Sequence, residues 1–159
     1  MIRVIRKISV LFFLRNRIME PTIRSFTLED SDAVITIWEA CGLTVPWNDP
    51  HKDIARKMQV NPELFLVAEL NGRLAGTVMG GYEGHRGWIN YLAVAPDCQG
   101  QGVGRALMDA VESKLNELGC PKINLQVRKS NTAVIQFYGH LGYHIDDVIS
   151  LGKRLIKDD

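Results

Sequence analysis

A chain of 159 residues, 46% hydrophobic and 23% charged, is long enough to bury one core and has the composition of a globular protein rather than a disordered or fibrous one. The formal net charge of +1 hides an asymmetry: residues 1–19 hold five basic side chains (Arg3, Arg6, Lys7, Arg15, Arg17) and no acid, leaving 14 basic against 18 acidic groups in the rest. An acidic body argues against nucleic acid as the main partner, since phosphate recognition needs a clustered basic face, and it suits a cationic amine.

Within residues 1–19 the apolar stretch from Ile8 to Leu14 is too short to cross a bilayer. Arg15-Asn16-Arg17 follows it, with no small-residue cleavage site of a signal peptide. The expectation is an extension ahead of an alternative start at Met19, with an interfacial anchor as the other reading; membrane contact is expected only if the extension is part of the natural protein. Residues 20–159 then form a single domain. Residues 22–27 predict a strand. Glu29 or Asp30 opens a helix through Val34, Ile35, Ile37, Trp38 and Cys41, closed by Gly42. Pro46 to Pro50 reads as a loop and residues 52–59 as a short helix. Two strands, 64–70 and 73–81, flank Asn71-Gly72, a strong hairpin signal. A strand over 87–95 stops at Pro96. Residues 102–118 predict a long helix with Val103, Ala106, Leu107, Ala110, Val111, Leu115 and Leu118 on one stripe and Gly119 as cap. A strand over 122–127, a helix over 131–141 ended by Gly142, and two short strands near 143–146 and 149–155 complete an α/β sandwich of mixed strands. That makes seven strands and four helices.

Cys41, Cys98 and Cys120 form no CxxC and no metal-ligand spacing. Neither a disulfide framework nor a metal site is expected, and free thiols fit the cytoplasm.

The segment over residues 91–106, YLAVAPDCQGQGVGRA, carries the most chemistry. A strand ends at a proline, and a loop with Gly100, Gly102 and Gly104 enters the long helix. Without side chains there, backbone N–H groups converge on an anion at the positive end of the helix, a ready pyrophosphate site. It is neither a Walker loop nor a GxGxxG fingerprint. A tight turn with close helix packing is the structural alternative.

Gln99-x-x-Gly102-x-Gly104, after a strand reading Leu92-Ala93-Val94, resembles the Q/R-x-x-G-x-G/A signature of the GNAT family of N-acetyltransferases. A second block, with Asn131, Ala133, Phe137, Tyr138, Leu141, Gly142 and Tyr143, resembles that family's N-x-x-A…F-Y-x-x-L-G-F segment. The resemblance covers residues 20–156 and implies a GNAT-type sandwich with a mixed, mostly antiparallel sheet. It implies acetyl-CoA as acyl donor and a primary amine, of a small molecule or a protein, as acceptor. In that reading Leu92, Ala93 and Val94 pair with the pantetheine arm, and the Val94 N–H polarises the thioester carbonyl. Gln99, Gly100, Gln101, Gly102, Val103, Gly104 and Arg105 surround the pyrophosphate. Asn131 bonds the cofactor chain or simply caps its helix. Tyr138 packs in the core or, as the resemblance implies, protonates the departing thiolate; a phenol with pKa near 10 can donate to a thiolate.

GNAT members that acetylate protein N-termini often carry a glutamate base where Gln126 stands, and an amide cannot serve. Glu83 or His85, in the loop over residues 80–87, are the candidate replacements; solvated turn residues are the plainer reading. Trp47, Asn48 and Asp49, between the first two helices, are acceptor-side candidates, an aromatic wall and a carboxylate suiting a cation. Residues 46–49, 80–87 and 150–155 also resemble the YpeA-type bacterial acetyltransferases. A homodimer through the final strands is expected by the same analogy, and a catalytically silent acetyl-CoA sensor is the alternative function.

Overall fold

The computed structural model describes residues 19–158; the expected extension over residues 1–19 lies outside them but for Met19. The chain runs β1 (Thr22–Ser25), α1 (Ser31–Ala40), α2 (Pro50–Lys57), β2 (Phe65–Leu70), β3 (Arg73–Tyr82), β4 (Gly87–Val94), α3 (Val103–Glu117), β5 (Ile123–Leu125) and α4 (Thr132–His140), with short 3-10 turns between. One sheet takes the strands in order β1-β2-β3-β4-β5. The first four are antiparallel neighbours and β5 joins β4 in parallel. At the β2–β3 hairpin Asn71 has φ 54° and Gly72 φ 76°, the double left-handed turn that the Asn-Gly pair favours.

Neighbouring residues of β3 face opposite ways. On one face α3 lies close: a Cβ at Gly76 would sit 3.0 Å from Val103 and Leu107 side-chain carbons, and one at Gly80 2.6 Å from Val111. On the other, Thr77 accepts from the Trp38 indole N–H of α1 at 2.9 Å. Trp38, Phe65, Leu66, Leu107, Met108 and Leu115 are all fully buried, so one core sits on both sides of the sheet. The entry to α1 is tied down by Arg24, whose guanidinium forks onto Asp30 at 2.7 and 2.9 Å. This contact holds the Asp30 carboxyl below its ordinary pKa.

The sheet has five strands among the described residues rather than the expected seven, and the two segments after α4 form none. A strand over 143–146 would need Tyr143 and Ile145 on one buried face. Instead Tyr143 turns inward, its hydroxyl donating to Glu112 at 2.8 Å, while Ile145 is 87% exposed. Over 149–155, Ile149, Leu151 and Leu155 are exposed alike, with no second layer to bury them. No helix among the described residues is long and apolar enough to cross a membrane.

Candidate active site

Strand β4 outruns its parallel neighbour. Pairing with β5 ends at Ile89↔Leu125, whereas β4 continues to Val94. The Ala95 N–H donates to Ala75 O at 2.8 Å, toward β3. Strand alternation therefore turns the Val94 N–H to the edge that β5 has left. The Val94 carbonyl on that edge accepts from Gln99 Nε2 and from Cys41 Sγ, each at 3.2 Å.

A 3-10 turn (Pro96–Cys98) then carries the chain into the glycine loop. Gly100 (φ 73°) and Gly102 (φ 81°) are both left-handed, and an added Cβ at either would meet nothing within 4 Å. Backbone conformation, not space, is what asks for glycine here. Gly102 is the N-cap of α3 and offers no side chain for capping. The first helical bond is Ala106 N–H to Gly102 O at 3.0 Å, so the N–H groups of Val103, Gly104 and Arg105 precede the helical ladder. With no acidic residue in that first turn, the positive end of a 15-residue helix is left for an anion.

Gly104 has a separate reason to be glycine. A Cβ there would lie 3.3 Å from the Phe137 ring and 3.5 Å from Val94 Cγ2, so the first turn of α3, the end of β4 and α4 converge at one point. The next residue, Tyr138, is buried edge-on between Phe137 (centroids 5.2 Å) and Tyr143 (5.5 Å). Burial pushes its pKa up to about 12, which keeps the phenol protonated. Asn131 caps α4, its Oδ1 accepting from the Val134 N–H at 3.3 Å.

The structure thus gathers Val94, the 99–105 loop and the Phe137–Tyr138 pair. It does not gather Glu83 and His85. Their turn precedes Gly87, at the other end of β4 from Val94, about 23 Å away at a rise of about 3.3 Å per residue. The Glu83 carboxylate is used within that turn, accepting from the His85 and Arg86 N–H groups at 2.8 Å. Gln126 donates to Ser150 Oγ. Trp47 is 60% exposed, and the Asp49 carboxylate caps α2, accepting from the His51 N–H at 2.9 Å.

Three side chains escaped the sequence reading. Between the pairs Met79↔Asn90 and Thr77↔Ala93, β3 advances two residues and β4 three, so β4 carries a bulge. Tyr91 sits in it with φ 50°, an uncommon conformation for an aromatic residue. Its ring stacks on Trp38 (centroids 4.0 Å, 22°) and its hydroxyl donates to Asp53 Oδ2 at 2.6 Å. Asn48 Nδ2 donates to the same phenol oxygen at 3.3 Å and to Asp53. Burial, reinforced by Asp53, pushes the Tyr91 pKa up to about 12. Cys41 is the third, beside Val94. Tyr91 stood in the glycine-loop segment, yet no residue pattern announces a left-handed tyrosine.

A model of the acetyltransferase (GNAT) family matches residues 32–143. The chain is 56% identical to an acetyltransferase of Pectobacterium atrosepticum over 136 residues, 86% of this chain and 96% of that one. Among solved structures, Ard1 from Thermoplasma volcanium superposes with a TM-score of 0.72 at 31% identity, covering 79% of this chain and 84% of its own. The ribosomal-protein-S18-alanine N-acetyltransferase of Escherichia coli gives 0.64 at 28% identity, with 77% of each chain covered.

Proposed function

The chain is an acyltransferase of the GNAT family, and from that premise we propose that it moves an acetyl group from acetyl-CoA to a primary amine by direct attack in a ternary complex. The observation that carries this reading is the open edge of β4 leading into an uncapped, glycine-entered helix. The residues present fit the donor: Leu92 to Val94 offer backbone for the pantetheine amides, and the N–H groups from Gly100 to Arg105 offer a cradle for pyrophosphate. Bound acetyl-CoA supplies an already activated acyl group, so no protein nucleophile is needed.

The work left to the chain is positioning and charge stabilisation. The Val94 N–H donates to the thioester carbonyl oxygen, where negative charge grows as the amine attacks. Tyr138 Oη gives its proton to the leaving sulfur and regains one from solvent, its raised pKa returning it to the phenol form before the next turnover. Asn131 holds the cofactor chain while capping α4. The amine's proton goes to solvent, the amine entering in its neutral form; Glu83 and His85, at the far turn, are too remote to take it. Trp47 borders the acceptor. We place the reaction in the cytoplasm, which suits the free thiols of Cys41, Cys98 and Cys120, and among YpeA-type enzymes.

The test is thiol release from acetyl-CoA across a panel of primary amines, repeated with Tyr138→Phe. Acceptor-dependent release that falls at least tenfold in the variant supports the mechanism. Tight acetyl-CoA binding without release from any amine would instead indicate a sensor.

A further inference from the structure

Beyond α4 the chain exposes Ile145, Ile149, Leu151 (91%) and Leu155, yet the Asp158 side chain is only 2% exposed. A single carboxylate of this tail is drawn into the body. Arg56 of α2 donates to both of its oxygens, Nη1 to Oδ2 at 3.2 Å and Nη2 to Oδ1. The Asp49 N–H, at the cap of the same helix, donates to Oδ2 at 3.2 Å. Lys52 Nζ donates to the Asp158 carbonyl at 3.1 Å. The Arg56 guanidinium holds the Asp158 carboxyl down to about 2, so the occupant is a carboxylate anion at any working pH. A forked guanidinium and a backbone N–H at a helix start match how proteins recognise carboxylates, and the Lys52 ammonium lies beside them on the neighbouring carbonyl.

The place of this seat gives it meaning. Arg56 Nη1 also donates to Asp53 Oδ1 at 3.0 Å, and the other Asp53 oxygen accepts from the Tyr91 hydroxyl at 2.6 Å. Tyr91 stands three residues before Val94 on β4, about 10 Å along the strand. A second tail contact lies on the same loop, where Arg154 donates to Asn48 Oδ1 at 3.4 Å. The seat therefore adjoins the α1–α2 loop, on the α1 side of the sheet where Tyr91 stacks on Trp38. The apolar residues of the incoming tail stay exposed, so among the described residues the contacts that hold Asp158 are these polar ones.

We propose that Arg56 and the Asp49 N–H form a carboxylate subsite for the acceptor, with the Lys52 charge beside it, filled in cis by Asp158 until an amine that also carries a carboxylate displaces the tail. The inference rests on the acetyl-transfer reading above and narrows its acceptor class. A carboxylate anchored on α2 fixes one end of the acceptor and limits how its amine approaches Val94. A free amino acid and an acidic peptide segment share this chemistry.

The experiment compares matched acceptors by thiol release from acetyl-CoA: 6-aminohexanoate against 6-aminohexanamide, and two amidated peptides that differ only in Lys-Asp against Lys-Asn. The protein is used whole, as wild type, Asp158→Asn, Arg56→Met and the charge-keeping Arg56→Lys. The ratio of KM for the neutral member to KM for the carboxylate member is expected to be at least five in the wild type. It should rise about threefold further in Asp158→Asn, fall to near one in Arg56→Met, and recover in part in Arg56→Lys. Discrimination confined to the small pair identifies an amino acid as the source, and confined to the peptides, an acidic segment. Turnover of all acceptors with a ratio near one in the wild type and in Asp158→Asn overturns the subsite. If no acceptor releases thiol, the transfer reading fails by itself. The subsite is then decided by calorimetry of 6-aminohexanoate on Asp158→Asn, where binding lost in Arg56→Met upholds it and no binding overturns it.

Discussion

The two sides of β4 are built from different materials. The side proposed for the donor is almost all backbone: an open strand edge at Val94, two left-handed glycines and the first N–H groups of α3, supplied by one stretch from residue 92 to residue 105. The side proposed for the acceptor is almost all side chain: Asn48 and Asp53 from the α1–α2 region, Tyr91 from the bulge and Asp158 from the tail meet across as many as 110 positions of sequence. A backbone site depends on local conformation and tolerates few residue types, whereas a side-chain site is free to change its specificity one residue at a time. The contrast fits an enzyme that keeps one donor and adapts its acceptor.

Substitutions on the two sides should separate accordingly, and the largest effect should fall on the floor they share. Trp38 is fully buried, donates to Thr77 and underlies Tyr91. Trp38→Ala should cost about 3–5 kcal/mol in urea unfolding; a loss under 1 kcal/mol would mean the acceptor side is not anchored through the core. On the donor side, Gly102→Ala forces a Cβ into a left-handed cap at a cost of about 1–2 kcal/mol. Titration calorimetry should show acetyl-CoA Kd rising about tenfold, with the acceptor KM the lesser casualty. The opposite split is expected of Tyr91→Phe, which removes a hydrogen bond to Asp53 worth about 0.5–1.5 kcal/mol. Initial-rate kinetics should put that change in the acceptor KM, and a shift in acetyl-CoA Kd of the same size would erase the distinction between the two sides.

The smallest effect concerns pH and lies on neither side. Asp30 is held below its ordinary pKa of 3.8 by Arg24, so its contribution to stability is complete above that value. The contribution fades as pH falls through the lower folded value. Acid titration of Asp30→Asn against wild type should show a stability difference that is constant above about pH 4 and shrinks as pH falls below it. Parallel curves would mean the ion pair carries no stability.

The same contrast explains what the sequence disclosed. Asn71-Gly72 encodes its turn in two adjacent residues, and the stripe from Val103 to Leu115 encodes the buried face of α3 by spacing alone; both stand where expected, except that Leu118, expected on the stripe, follows the helix and is exposed. The glycine loop was legible for the same reason, since Gly100 and Gly102 adopt conformations few other residues would tolerate. The final strands were not. Alternation from Tyr143 to Leu155 looks strand-like, but a strand needs a partner edge and a covering layer, and neither is encoded nearby. Tyr91 was hidden because a bulge is a mismatch between two strands, not a property of one. Asp53 was hidden because an acid on a short polar helix reads as surface until Tyr91 reaches it.

We propose that the open β4 edge and the first turn of α3 form the donor site. Amide-resolved NMR during an acetyl-CoA titration tests it most directly. The largest shifts should fall on the amides of Val94 and of residues 100 to 105, with those of Glu83 to Arg86 little changed. Saturable binding whose largest shifts lie at the Glu83–Arg86 turn, with Val94 and the glycine loop unmoved, would contradict it.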